Sequence, residues 1–97
     1  MPTATTHRDG DTLYVQGELD FDSVARLWDA TESLFLADPP HHINLSEVRR
    51  ANSAGVALLV AWLRQVSPLR KLVFINVPMQ MQAIIQVADL ETILPSA

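Results

Sequence analysis

The chain has no cysteine. That removes disulfides, thiolate nucleophiles and cysteine-ligated metal centres, and fits a reducing compartment. Only three of its 97 residues are glycine, and none sits in a glycine-rich loop able to cradle phosphate. Histidine is equally scarce: His7, His41 and His42 show no metal-ligand spacing with nearby carboxylates, and adjacent strand residues such as His41 and His42 point to opposite faces. Aromatic residues make up 6% of the chain. No serine has a sequence-local base beside it, so no catalytic residues and no cofactor site are expected. The longest apolar run, residues 55–63, is far short of the ~20 residues that span a bilayer, and the first residues do not combine basic and apolar character as a leader does. A soluble, cytosolic protein is expected.

Acidic residues are also missing from a large part of the chain. Residues 1–47 hold nine acids against Arg8 and Arg26, a charge of −7, whereas residues 48–88 contain none. That second stretch carries Arg49, Arg50, Arg64, Arg70 and Lys71, and Asp89 with Glu91 brings the total to −4. Five cations spread over 41 positions, with no aromatic platform beyond Trp62 and Phe74, make a poor nucleic-acid footprint.

What is present is apolar: 48% of the residues, in a length that supports one domain with a real core but no second domain or lid. Residues 3–8 and 12–16 alternate as two strands, and Asp9-Gly10-Asp11 between them reads as a hairpin turn with Gly10 at positive φ. Gly17-Glu18-Leu19-Asp20 closes the second strand. Asp20 or Asp22 can then cap a helix whose stripe is Val24, Leu27, Trp28, Thr31, Leu34 and Phe35, stopped by Asp38-Pro39-Pro40. Residues 41–45 read as a third strand, followed by a polar turn, and Asn52 or Ser53 caps a second helix running to about Val66 before Ser67-Pro68. Residues 70–77 form a fourth, continuously apolar strand. Pro78 at position N1 starts a third helix with Met79, Ala83, Ile84 and Val87 buried, and a short tail over 90–94 is expected to add one further helical turn. The order β-β-α-β-α-β-α predicts an α/β domain over residues 1–97: a mixed four-stranded sheet with helices packed on one side.

The second helix carries the most pointed functional signal. At 100° per residue, Gly55, Leu59, Trp62, Leu63 and Val66 fall on its core side, with Val56 and Val60 at the edge. The opposite side holds Ala54, Ala57, Ala61 and Arg64, with Leu58 and Gln65 beside them, and has no charge before Arg64. Solvated helix faces carry Lys, Glu or Gln. Small uncharged side chains instead let a partner backbone approach, unless the chain's own third helix or tail covers them. Ser53 stands at the head of this face, where unpaired backbone N–H groups favour an acceptor. Capping is the plain alternative role for Asn52 or Ser53. Trp28 is a core residue by spacing that can reach the rim of the same surface. Met79, Gln80, Met81 and Gln82 could add an adaptable contact surface near the second helix, with core filling the simpler role for Met79.

Gly17-Glu18-Leu19-Asp20, then Asn44-Leu45-Ser46-Glu47-Val48, then Asn52-Ser53-Ala54-Gly55 resemble, in that order and over nearly the whole chain, the STAS domain. Its members include anti-sigma factor antagonists, C-terminal domains of sulfate transporters and a small cytoplasmic subunit of bacterial lipid-asymmetry transporters. The resemblance implies a sheet flanked by helices and work done through protein contacts around the capped helix, without catalysis. In the antagonist branch Asp-Ser-Ser/Thr-Gly carries the phosphorylated hydroxyl at the position of Ala54 here, so that switch has no acceptor oxygen, although phosphorylation of Ser53 remains chemically possible. The transporter branch looks closer, through Ser53 followed by a small residue, through Leu27-Trp28, and through Gly55-Val56-Ala57-Leu58-Leu59. The resemblance therefore implies a regulatory subunit that contacts the ATPase of a phospholipid ABC transporter around the capped helix, and the outer face of that helix supplies the candidate contacts Asn52, Ser53, Ala54, Ala57, Leu58, Ala61 and Arg64, with Trp28 as a secondary one. Its membrane association would be indirect, through that complex. The alternative is an anti-sigma factor antagonist acting by partner switching. A module that binds nucleotide weakly at the helix N-terminus is a third possibility.

Overall fold

A computed structural model describes residues 4–66 and 70–96. The elements are β1 (Ala4–Asp9), β2 (Thr12–Leu19), α1 (Phe21–Ala37), β3 (His42–Ala51), α2 (Ser53–Gln65), β4 (Val73–Ile75) and α3 (Met79–Val87). They follow the order expected from the sequence. Thr3, placed in the first strand above, and Ser67-Pro68, placed after the second helix, lie outside the described residues.

The sheet has the spatial order β1-β2-β3-β4. β1 and β2 form an antiparallel hairpin in which Asp9 pairs with Thr12, and Gly10 between them adopts φ 62°, a conformation that costs a glycine little. β2–β3 and β3–β4 are parallel, each joined by a helical crossover, and right-handed crossovers place both helices on one face. Burial agrees: along β2, Leu13, Val15, Gly17 and Leu19 are buried, while Thr12, Tyr14, Gln16 and Glu18 face the open side. On that side the His7 and Tyr14 rings stack 4.9 Å apart. The core between sheet and helices is built on Val15, Ile43, Leu45, Leu59 and Trp62, all fully buried.

β3 continues through residues 46–51, where a polar turn was expected. Its pairing with β2 skips a residue twice, between Asn44 and Glu47 and between Val48 and Arg50. Each added residue leaves two consecutive side chains exposed, Ser46 with Glu47 and Arg49 with Arg50. Two bulges thus erase the period-two pattern of a strand without ending it. β2 likewise extends through Gly17, at φ 105°, to Leu19. β4 is shorter than residues 70–77, because Asn76 turns to φ 56° immediately after Ile75.

α3 is rotated relative to the expected stripe. Met81 and Ile85 are its buried residues, with Ile84 half-buried, whereas Met79 and Val87 are 84% and 89% exposed and Ala83 is exposed. Pro78 is its N-cap rather than its first helical residue. One observed contact helps hold this phase: the Ala51 N–H donates to Oε1 of Gln80, 3.1 Å, which ties the start of α3 to the end of β3. The tail forms a turn over 91–93, buries Leu94, and returns along β4, where the Phe74 N–H donates to the Pro95 carbonyl, 2.9 Å.

Candidate interaction end of the molecule

Because β2 and β3 are parallel, with Leu19 beside Ala51, the two helices that follow them begin side by side at the same end. Asp20 caps α1 in a reciprocal box: its Oδ1 accepts from the Ser23 N–H at 2.8 Å, and its own N–H donates to Ser23 Oγ at 2.9 Å. Ser23 Oγ donates in turn to the Glu18 carbonyl, 2.7 Å. The Ser23 N–H holds the Asp20 carboxyl below its ordinary pKa. Asn52 caps α2, its Oδ1 accepting from the Ala54 N–H at 2.8 Å, while its N–H donates to the Leu19 carbonyl, 3.1 Å. Both cap residues are among those the sequence offered for the task. Ser53 is left as the first helical residue, exposed to solvent.

Gly55 allows α2 to start this close to the sheet. A Cβ at that position would stand 3.2 Å from both Cβ and Cδ1 of Leu19 and 3.4 Å from Cβ of Ala51. Glycine is thus favoured here by close contact rather than by φ.

The structure divides the eight interface candidates. Asn52, Ser53 and Ala57 are exposed, and Ala61 and Trp28 are half-buried. Ala54 and Leu58 are buried, 2% and 1% exposed, contrary to the helical projection. The projection treated α2 as packing on one side only, but α2 is flanked by α1 and by α3, so its buried arc is wider than a helix lying on a sheet alone would need. Ala57, Leu58 and Ala61 line a shallow groove against α1, whose wall is Phe21, Val24, Ala25 and Trp28. Among the described residues, neither α3 nor the tail lines it. Arg64 is not part of this groove and borders a separate cleft with Arg70 and Lys71.

Phe21, 72% exposed, was missed from the sequence. Its spacing to Val24, Ala25 and Trp28 is the usual three, four and seven, so the stripe was legible one turn earlier than it was read. Beside the groove, Glu18, Asp20, Arg50, Asn52 and Gln80 line a polar cleft of about 320 Å³, and Arg49 lies 3.9 Å from Glu18 on the surface. Among the described residues, no three His, Asp or Glu side chains gather as metal ligands, and no helix is long and apolar enough to cross a membrane.

The family described as "Mlab, STAS domain" matches residues 3–95. The chain belongs to the STAS domain family. Among solved structures it is similar to a subunit of the Acinetobacter MlaFEDB complex in an ATP-bound conformation, with 28% identity, 96% of this chain and 99% of that one covered, and a TM-score of 0.83. It also matches an anti-sigma factor antagonist from Mycobacterium paratuberculosis, at 21% identity over 97% of this chain and 83% of that one, TM-score 0.77. A STAS-domain anti-sigma-factor antagonist from Planctomyces limnophilus matches at 15% identity over 100% and 90%, TM-score 0.74. The last two likenesses establish a shared fold. No curated protein matches the sequence.

Proposed function

We propose that this STAS domain is a non-catalytic accessory subunit that binds the ATPase of a phospholipid ABC transporter and acts through contact alone. The observation that carries this reading is the end-to-end match to a subunit of the MlaFEDB complex, at higher identity than either antagonist described above. The docking surface is the end where α1 and α2 begin: the exposed Asn52 and Ser53, then the groove of Ala57, Ala61, Trp28 and Phe21. Ala54 and Leu58 support that surface from beneath. The position that would take a phosphoryl group in partner switching is Ala54, which lacks a hydroxyl and is buried, so the antagonist reading finds no acceptor there. Ser53 remains the one hydroxyl at that turn.

Such a subunit raises ATPase turnover only to the extent that it binds the competent state of the ATPase better than the inactive one. It would lie in the cytoplasm and reach the inner membrane through the complex.

The test is affinity purification of the tagged chain from its native cytosol and membranes, in wild-type form and as Ala57→Glu. Recovery of an ABC ATPase with its permease by the wild type, and its loss with Ala57→Glu at unchanged melting temperature, is expected. Recovery of an anti-sigma kinase without transporter subunits, or undiminished recovery by the variant, overturns the proposal. Ala57 is exposed, so a carboxylate there should leave the fold intact.

A further inference from the structure

The second cleft, at the far end of α2, has a different chemistry. Its volume is about 660 Å³. Leu63, Leu72 and Val73 form an apolar floor, and Arg64, Arg70 and Lys71 stand around it with no carboxylate among the described lining residues. Arg64 lies eleven residues after Ser53, and at 1.5 Å per residue it is about 16 Å along the helix from the docking end. The two surfaces can be occupied independently, so this inference does not rest on the reading above.

The cations are poorly neutralised. Arg70 pairs with the exposed Asp38 at 3.6 Å and its Nη2 donates to the Pro39 carbonyl, 2.9 Å, but its Nε–H is buried with no acceptor among the described residues. Asp38 is shared with Arg8, 3.4 Å away. Among the described residues, neither Arg64 nor Lys71 makes an ion pair. Two exposed cations with no carboxylate partner among the described residues, beside a third that shares its carboxylate, favour an anionic occupant.

The floor and shape narrow the ligand. Inorganic phosphate has no use for Leu63, Leu72 and Val73, and a flat anionic bilayer cannot enter a concave cleft. An extended acidic segment with one apolar side chain satisfies both parts: carboxylates at the cationic rim, and the anchor on the floor. We propose that this cleft docks a linear, acidic segment of a partner protein bearing an apolar anchor residue, by complementarity of charge and polarity.

The experiment uses the full chain and four probes: a fluorescein-labelled acidic peptide with a central leucine (DELDE), its serine analogue (DESDE), inorganic phosphate, and phosphatidylglycerol vesicles. The expected result is saturable binding of the leucine peptide, weakened by added salt as charge screening demands, with amide shifts at residues 63–66 and 70–74 and not at the docking end around residues 52–57. The serine analogue should bind several-fold more weakly. The double variant Arg64→Glu, Lys71→Glu should lose about tenfold or more in affinity, and both sites are surface cations, so its melting temperature should hold. Arg64→Gln with Lys71→Gln gives a neutral check. Failure of the leucine peptide to saturate, equal binding by the double variant, equal binding of the serine analogue, or binding of vesicles or phosphate in place of the peptide would each overturn the proposal.

Discussion

The indole Nε1–H of Trp62 donates a 2.9 Å hydrogen bond to Oγ1 of Thr31, joining the two helices that form the groove. Both residues are buried. Thr31 Oγ1 passes its own hydrogen to the Leu27 carbonyl one turn back, 2.7 Å, and Trp62 stacks on Phe35 with ring centroids 5.6 Å apart. One hydroxyl therefore lets a large aromatic residue bury its only polar atom in the core.

Thr31→Val keeps the shape and removes the acceptor. The Trp62 N–H would then be buried without a partner, a loss of about 1–3 kcal/mol. Thr31→Ser keeps the oxygen and should recover most of it. Urea denaturation of the three proteins, followed by Trp fluorescence, measures the difference.

The two residues at the head of α2 should respond differently. Asn52→Ala removes the oxygen that holds the Ala54 N–H and should cost about 1 kcal/mol. Ser53→Ala removes an exposed hydroxyl outside that cap and should leave stability within about 0.5 kcal/mol of wild type. If Ser53→Ala alone weakens recovery of the ATPase, the hydroxyl belongs to the interface. If it changes neither stability nor recovery, Ser53 has no role in the proposed docking.

The element order, both helix caps and Gly10 were legible because each depends on local chemistry: a carboxylate or amide before an apolar run, or a glycine between alternating strands. The family motifs at residues 17–20, 44–48 and 52–55 were legible for the same reason. The second half of β3 was not, since its two bulges put polar pairs side by side and imitate a turn. The phase of α3 was not either. A nine-residue helix with apolar residues at Met79, Met81, Ala83, Ile84, Ile85 and Val87 offers more than one stripe, and the contacts it makes with α2 and β3 decide between them. Burial of Ala54 and Leu58 depended on α1 and α3 flanking α2, which no single helix's periodicity shows. Even so, two of the outer-face residues read from that projection, Ala57 and Ala61, do line a groove at the surface.

Acid should weaken the start of α1. The Asp20 carboxyl has a folded pKa below its ordinary value, because the Ser23 N–H hydrogen-bonds the ionised form. A group with a depressed folded pKa contributes stability that is fully present above its unfolded pKa and is lost as pH falls through the folded one. Asp20→Asn, which can still accept from the Ser23 N–H, removes that titration. The melting temperature of wild type relative to Asp20→Asn should thus fall as the solution is acidified through the carboxylate range and stay flat above it. A difference that is constant with pH would show that the cap does not depend on the charge.

Gly55→Ala separates two effects of opposite sign. In a free helix the substitution gains up to about 1 kcal/mol, but here the new methyl meets Leu19 Cβ at 3.2 Å. A β-carbon cannot rotate out of the way as a side-chain tip can. Relief requires α2 and the end of β2 to move slightly apart, and that strains the Asn52 N–H bond to the Leu19 carbonyl and the cap on Ala54. Overpacking of this kind costs about 1–3 kcal/mol, more than the helix gains, so the variant should melt lower than wild type. Its partner recovery should also fall, because the groove and Ser53 move with the helix. A variant of raised stability would mean that Leu19 and the end of β2 yield easily, and that glycine at this position is kept for something other than packing.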